Sequence, residues 1–587
     1  MKRKNRNSKF FLALCNESVA RNITGAWRNV RPVYKEKTAP CRESCPAGEN
    51  IEGVMSLVSQ RKYIDAWNLI REENPFPAVC GRACYHPCES GCNRGFFDEP
   101  LSINAIERFV SDMAFQKYGR KRRIVKKGGK KKGRVAVIGA GVAGLTAAYH
   151  LARNDIAVTV YDSFKSPGGI LRYGIPAYRL PKDILDWEIE RIRDNAVDIV
   201  CGKRLGKDLS IKGLLNKSDA LIIAAGATFS RKLGIEGEEA EGIIDGSKFL
   251  KDISLGRMKA PGRKVAVIGG GNTAVDVARS ALRLGCEVKM FYRRTRIEMG
   301  AFPEEITDAV EEGVDINFLV APYAFLKGKD NKLEGIRFQR MKLGKPDASG
   351  RRRPVPIKGD TFEEDFDCAI VAIGEDIDSS ILKPLVDEES FFSSLRYGCI
   401  TPIERVFTAG DFAGGPRSIV EAIAGGKRAA LAVISMINGK SFALDYEKIR
   451  IGAQGGISFS NYGNSSEEII EKLSTIVEYQ NLNIDYFMPA DPPQIRKADV
   501  EKRKKDFSEV VQTLSKREAI AEAERCFNCG RCTDCDNCYK FCPDISVLKR
   551  VRKGFTYEID YDHCKGCSIC YSECPRNVIE MVEEVKS

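Results

Sequence analysis

The apolar positions of this chain repeat one design twice, with polar stretches between and around the repeats. Residues 134–162, RVAVIGAGVAGLTAAYHLARNDIAVTVYD, open on a β-branched run at 135–138. A glycine-rich stretch, a helix-forming run and a second apolar run ending at Asp162 follow, which predicts strand, tight turn, helix, strand. The design returns where Lys264-Val-Ala-Val-Ile-Gly269 echoes Arg134-Val-Ala-Val-Ile-Gly139. The runs at 221–227 (LIIAAGA) and 367–374 (DCAIVAIG) are short and continuously apolar, as in strands buried on both faces. Residues 406–411 (VFTAGD) read as a strand with a terminal acid, followed by a small-residue helix, SIVEAIAGGKRAALAV. The stretch IEGVMSLVSQRKYIDAWNLIREEN is helical, residues 1–40 are polar and basic without period, and 444–520 read as a connector with some helix.

The glycines of the first repeat stand at Gly139, Gly141 and Gly144. The first allows the turn, the second lets backbone approach a pyrophosphate, and the third lets helix pack on strand. A diphosphate there meets free N–H groups and the positive end of a helix dipole. Asp162 lies where an acid takes the ribose hydroxyls. The second repeat carries Gly269, Gly271, Asn272 and Thr273 in a GxGxxA run. Aligning Val158 with Val288 sets Asp162 against Tyr292, with Arg293 and Arg294 next. An acid repels a 2′-phosphate, and arginines bind one. The first repeat therefore reads as an FAD site and the second as a nicotinamide site, NADP(H) ahead of NAD(H). The competing reading of the arginines is a solvated edge.

The chain has 587 residues, 21 Cys and only 3 His, and 16 of the Cys fall at 41–92 and 526–574. Histidine metal sites are disfavoured, and the dense spacings favour metal ligation over disulfides. Cys532, Cys535, Cys538 and Cys542-Pro form CxxCxxCxxxCP, repeated as Cys564, Cys567, Cys570 and Cys574-Pro. This is the two-cluster bacterial ferredoxin pattern, in which the last Cys of each run ligates the other cluster. Cys526 and Cys529 add one more CxxC, either spare or competing for the first cluster. In the N-terminal group, Cys41, Cys45, Cys80, Cys84, Cys88 and Cys92 stand mostly four apart. That spacing alone leaves zinc and an iron–sulfur cluster both open. The isolated Cys15, Cys201, Cys286, Cys368 and Cys399 read as structural.

The apolar run at 10–15 is too short for a signal peptide, and no stretch approaches a membrane span, so a cytoplasmic protein is expected. Much of the formal charge of +13 sits in RKRRIVKKGGKKKGR at 120–134. Without interleaved aromatics it reads as a solvated linker rather than a nucleic-acid patch.

Cys41-Arg-Glu-Ser-Cys45-Pro, Asn74-Pro-Phe-Pro, Cys80-Gly-Arg-Ala-Cys84 and Ile106-Glu107-Arg108-Phe109 resemble the N-terminal iron–sulfur domain of the glutamate synthase small-subunit family. The resemblance covers about 37–443, and that to ferredoxins covers 521–587. It implies a multidomain chain: an extension at 1–36, an α-helical iron–sulfur domain at 37–118 and a basic linker at 119–133. An FAD-binding domain in two parts, 134–260 and 375–443, carries an inserted NAD(P)-binding domain at 261–374, both α/β and Rossmann-like. A connector at 444–520 leads to an α+β two-cluster ferredoxin-like domain at 521–587. By matched position the N-terminal thiolate ligands are Cys45, Cys84 and Cys88, with Glu107 as a fourth ligand or one of Cys41, Cys80 and Cys92 in its place. Two-cluster relatives have a further CxxC upstream of Cys41, where this chain has Thr-Ala-Pro. One N-terminal [4Fe–4S] cluster, and three in all, are expected. The resemblance also lays Gly169, Leu171 and Arg172 against the flavin and gives the ribityl chain to Gly410 and Asp411.

These parts imply an NAD(P)H:acceptor oxidoreductase subunit, with electrons passing between NAD(P)H, FAD and clusters to or from a partner enzyme or ferredoxin. Partners of the 2-oxoacid oxidoreductase or dissimilatory sulfite reductase type fit. The alternatives are a glutamate synthase small subunit and a scaffold with an idle nucleotide site. No acid–base or nucleophile constellation is present, so no catalytic side chain is assigned.

Overall fold

The computed structural model describes residues 23–119, 131–347, 350–382, 388–464, 466–552 and 555–584. Cys15 and most of the basic run lie outside these. Two five-stranded parallel sheets dominate. The first runs Val406–Thr408, Ala220–Ile223, Gly133–Ile138, Ile156–Asp162, Val197–Cys201. The second runs Asp315–Phe318, Glu287–Tyr292, Lys264–Ile268, Cys368–Val371, Ile243–Asp245. In each, the strand that feeds the glycine turn is central, with its successor on one side and a later strand on the other. That is a switch point, where ligands bind at the strand ends. Val135 pairs with Val158 and Val265 with Val288, so Asp162 and Tyr292 occupy equivalent places.

Two departures from the sequence reading concern the second sheet. Ile243–Asp245, placed by sequence in 134–260, pairs with Cys368–Val371, so the chain enters the second domain well before 261. The crossings are Ala227–Ser230 and Glu375–Ile377, which pair antiparallel with each other. An antiparallel ribbon, Val320–Lys327, Leu333–Pro346 and Arg352–Asp365, was not anticipated. Its charged, largely exposed strands carry little apolar signal, yet Phe338 stacks on Phe291 of the sheet at 4.1 Å.

The N-terminal region is helical. Ile51–Ser59 buries Ile51, Val54, Met55 and Val58, the i, i+3, i+4, i+7 stripe of a core-facing helix. Asn50 caps it by accepting the Gly53 N–H at 3.0 Å. Val30–Tyr34, assigned to the extension, pairs antiparallel with Ile579–Glu583. The early residues thus complete the C-terminal cysteine domain, which also holds the hairpin Val547–Arg552 and Phe555–Ile559.

Buried ion pairs hold these parts together. Lys427, on the Ile419–Ile437 helix, donates to Glu73 at 2.5 Å; both are fully buried. Glu73 also accepts from Ser458, the Phe459 N–H and Ser460 of the connector. Burial opposes the Glu73 charge, but Lys427 and Arg42 override it and hold the carboxyl down at about 2. Around the second sheet, Arg279 and Arg283 share Glu312 with Arg503 of the connector. Arg179, from the loop at 174–181 beyond the first unit's second strand, pairs with Asp276 at 2.8 Å.

Candidate functional site: a shared nucleotide cleft and grouped cysteines

Both glycine turns open onto one cleft of about 2260 Å³. Ordinary small-molecule pockets run to roughly 300–1,000 Å³, so this one has room for two dinucleotides. At Gly139 the backbone has φ +103°, and a Cβ would stand 2.2 Å from the Ala224 carbonyl oxygen. At Gly144 it would stand 1.9 Å from the Gly139 carbonyl oxygen, so helix and turn touch through bare backbone. Gly141 has only Gly169 near its missing Cβ, at 4.0 Å. The Val142–Arg153 helix begins there without a side-chain cap or first-turn acid, leaving its N–H groups for an anion. The Ile419–Ile437 helix crosses it so closely that a Cβ on Gly426 would lie 2.4 Å from the Ala143 carbonyl oxygen. That crossing is the reason for its small residues, and it brings Ser418, Ile419 and Ala422 to the cleft.

Asp162 lines the cleft but is already engaged. One carboxylate oxygen accepts the Ala140 N–H at 2.6 Å, the other the Phe164 N–H at 2.8 Å. It therefore pins the glycine turn to its own strand end while lining the cleft. Gly169 lies on the wall, with φ +52°. Leu171 and Arg172 do not. Leu171 is fully buried in the core, and Arg172 donates to the Pro167 carbonyl at 2.6 Å and pairs with Asp186. The side chains of these two are engaged away from the cleft wall. Gly410 packs behind it, its missing Cβ facing the Ala143 Cβ, while Asp411 reaches the wall and is pushed up by burial.

The second turn repeats the first with different chemistry. A Cβ on Gly269 would lie 2.2 Å from the Ala372 carbonyl oxygen, and Gly271 faces open space. The Tyr292 ring covers Gly270, and its hydroxyl donates to the Glu298 carbonyl at 2.6 Å. Asn272 accepts the Phe302 N–H at 3.0 Å, and Thr273 lines the cleft. Arg293 is exposed on the cleft wall, with no hydrogen bond or ion pair among the described residues. Arg294 is buried and committed, donating to the Arg352 carbonyl and to Asp347, each at 2.8 Å. Glu375 was not singled out by sequence. Burial pushes it up to about 7 on the cleft wall, where Ser247 donates to it. It sits in the crossing strand, which no motif marks.

Ala83 and Tyr85, either side of Cys84, also line the cleft. Behind them Cys45, Cys84 and Cys88 are buried together. Burial drives the Cys88 thiol well up, and Cys45, Glu89 and Cys84 add to it. Burial, Glu49 and Glu188 do the same for Glu107, against the Asn74 amide that donates to it at 3.2 Å. So buried a carboxyl is suited to a cationic partner. In the C-terminal domain, Cys542, Cys564, Cys567 and Cys570 line one small cavity with Pro32 and Pro543. Burial raises the Cys538 thiol to about 11, with Cys574 and Cys535 adding to it against a 3.3 Å bond from the Tyr34 hydroxyl. Cys532 rises to about 12 from burial, with Asp534, Cys538 and Cys574 contributing. These are the two sets the ferredoxin spacing names. Among the described residues no three His, Cys, Asp or Glu are drawn tightly enough to hold a single metal ion. A cubane spreads its four thiolates wider than one ion does.

Residues 133–426 match the pyridine nucleotide-disulphide oxidoreductase family. The chain belongs to that family. Residues 25–118 match dihydropyrimidine dehydrogenase domain II, 4Fe-4S cluster, and 557–580 a 4Fe-4S binding domain. The NADP(+)-dependent formate dehydrogenase subunit beta of Moorella thermoacetica is 37% identical over 84% of this chain and 71% of its own length. The NADPH-Fe(3+) oxidoreductase subunit beta of Geobacter sulfurreducens is 33% identical, covering 87% of this chain and 78% of its own length. A putative glutamate synthase [NADPH] small chain of Cereibacter sphaeroides is 33% identical over 62% and 91%. The protein is an FAD- and iron–sulfur-dependent NAD(P)H oxidoreductase of the glutamate synthase small-subunit-like type. No helix among the described residues of this oxidoreductase is long and apolar enough to cross a membrane.

Proposed function

We propose that this oxidoreductase is a subunit that exchanges electrons between NADPH and a separate oxidoreductase subunit or ferredoxin, leaving through the C-terminal cysteine domain. The observation that carries the reading is the shared cleft: both glycine turns line it, and its wall is continuous with the residues flanking Cys84. FAD in this fold converts hydride chemistry with a nicotinamide into single-electron chemistry with clusters. The chain's own part is positional. Gly139, Gly141, Gly144, Asp162, Gly169 and Asp411 hold the flavin nucleotide. Gly269, Gly271, Asn272, Thr273 and Arg293 hold the nicotinamide nucleotide. Cys45, Cys84, Cys88 and Glu107 hold one cluster near the cleft. Cys532, Cys535, Cys538 and Cys574 hold a second, and Cys564, Cys567, Cys570 and Cys542 a third. Cys567 is exposed, and Phe541 and Ile545 beside Cys542 are more than half exposed, which suits a docking face for the partner. The beta-subunit names of the Moorella and Geobacter relatives favour a multi-subunit setting.

Anaerobic stopped-flow mixing with NADPH tests this. Bleaching of flavin absorbance should precede bleaching of cluster absorbance. Cys567→Ala should slow transfer to the partner and leave flavin bleaching unchanged. Flavin that stays oxidised under NADPH would return the chain to a scaffold with an idle nucleotide site.

A further inference from the structure

Five of the sixteen clustered cysteines have no place in the three cluster sets above; Cys80 lies against Glu107 and Cys84, and the other four are Cys41, Cys92, Cys526 and Cys529. These four come from three stretches far apart in sequence, and the fold collects them. All four are buried, at 7–8% exposed. The Asn93 amide, next to Cys92, donates to the Cys529 sulfur at 3.5 Å. Arg94 donates to the Arg525 carbonyl, next to Cys526, at 2.6 Å. A Cβ on Gly91 would lie 3.3 Å from the Pro40 carbonyl oxygen, so the residues preceding Cys92 and Cys41 touch. The Lys37 N–H bonds the Gly530 carbonyl at 2.9 Å, tying the far side of Cys529 to the strand that leads into Cys41. Burial raises the Cys41 thiol well above its ordinary value, and Cys92, Glu52, Cys526 and Cys529 all add to it.

The backbone at Cys526 supplies an independent sign. Asn528, the residue before Cys529, has φ +50°, and its N–H donates to the Cys526 sulfur at 3.3 Å. Asp534 and Gly566 occupy the same position in Cys532-x2-Cys535 and Cys564-x2-Cys567, with φ +55° and +72°. His86, two residues after Cys84, has φ +54° and donates to that sulfur at 3.5 Å. The turn that presents the first sulfur of each proposed ferredoxin run, and of Cys84, therefore recurs at Cys526. Backbone N–H groups aimed at a sulfur stabilise a ligating thiolate and tune its cluster. Arg42 stands 3.8 Å from the buried Glu52 and offsets its charge beside the site.

We propose that Cys41, Cys92, Cys526 and Cys529 bind a fourth [4Fe–4S] cluster, with two ligands from the N-terminal helical domain and two from the C-terminal segment. The C-terminal CxxC then stands in for the CxxC this chain lacks upstream of Cys41. The cluster spans the junction of the two domains, between the set containing Cys84 and the ferredoxin sets. As a step in the electron path it rests on the function proposed above; as a binding site it does not.

Iron and acid-labile sulfide per FAD in anaerobically purified full-length protein provide the test. Four clusters require about sixteen iron and sixteen sulfide, against about twelve of each for three. Cys526→Ser with Cys529→Ser should remove about a quarter of the iron and leave FAD content unchanged. Cys41→Ser with Cys92→Ser should do the same, and all four together should remove no more than either pair. A wild-type count near twelve, one zinc in place of four iron, or additive loss to about eight would overturn the site. The wild-type count decides this even where a variant fails to fold. Sixteen iron without flavin bleaching by NADPH supports the site and overturns the proposed function.

Discussion

The two nucleotide units have the same central strand, glycine turn and crossing helix, and they differ at the end of the next strand. In the first, Asp162 turns back and accepts N–H groups from Ala140 and Phe164, so an acid closes the turn and faces the cleft. In the second, Tyr292 fills that place, covers Gly270 with its ring and sends its hydroxyl to Glu298. The second unit has no acid there, and Arg293 stands open beside it. The same backbone plan thus ends in an acid on one part of the cleft wall and in an open arginine on the other. A second contrast is the third position of the turn. Gly144 touches bare carbonyl, whereas its counterpart Ala274 has room for a methyl group.

The largest effect should come from forcing the second unit's solution on the first. Gly144→Val drives a side chain into the Gly139 carbonyl oxygen, which a Cβ alone would meet at 1.9 Å. The purified variant should carry no FAD, read from its visible spectrum, while Ala274→Val keeps FAD and loses NADPH-driven bleaching. Retention of FAD by Gly144→Val would show that the turn can open.

Next is the anchoring of the first unit. Glu73→Gln leaves Lys427 buried without its counter-charge, which costs about 3–5 kcal/mol. Urea unfolding of the first sheet should shift by that amount. The pH dependence has a definite sign. The native Glu73 carboxyl is held at about 2, below the ordinary 4.5, so its contribution is complete above 4.5 and is lost as pH falls toward 2. The variant should lose less stability than wild type over that range. Equal acid sensitivity would remove Glu73 from the account.

The charge contrast is tested by separating two adjacent arginines. Arg293→Ala should raise the KM for NADPH about tenfold, near 1.4 kcal/mol, and leave NADH nearly unchanged. Arg294→Ala should instead loosen the ribbon it holds through Arg352 and Asp347, lowering Tm without a coenzyme preference. Arg294 also lines the cleft, so a coenzyme preference that followed Arg294 and not Arg293 would overturn this division of roles.

The smallest expected effect is Ala274→Gly, which gives the second turn the first one's glycine. It should cost about 1 kcal/mol of helix stability and keep both coenzyme KM values within twofold. A large change in either KM would mean that the methyl group shapes the site.

What the sequence determined by itself was what near neighbours specify through a strong glycine, cysteine or apolar pattern, which the charged ribbon at 320–365 lacks. The two glycine turns, the CxxCxxCxxxCP runs and the parallel-strand segments were legible because a turn, a ligand turn or a buried strand is specified within about ten residues. The equivalence of Asp162 and Tyr292 followed from strand register, which is equally local. Only the tertiary structure decided which arginine is free, because Arg294 is claimed by a ribbon more than fifty residues away. It also moved Leu171 and Arg172 off the cleft, where the sequence showed only a loop. Val30–Tyr34 carries too little apolar signal to be read as a strand until it finds Ile579–Glu583. The cysteines of the proposed junction cluster are the clearest case. Cys41 and Cys529 are 488 residues apart, and no spacing rule reaches that far. They meet because the helix Lys516–Glu524 packs on Ile51–Ser59 and the chain's early strand pairs with its last. Burial of apolar faces brings them together, and that depends on the whole fold rather than on any one segment.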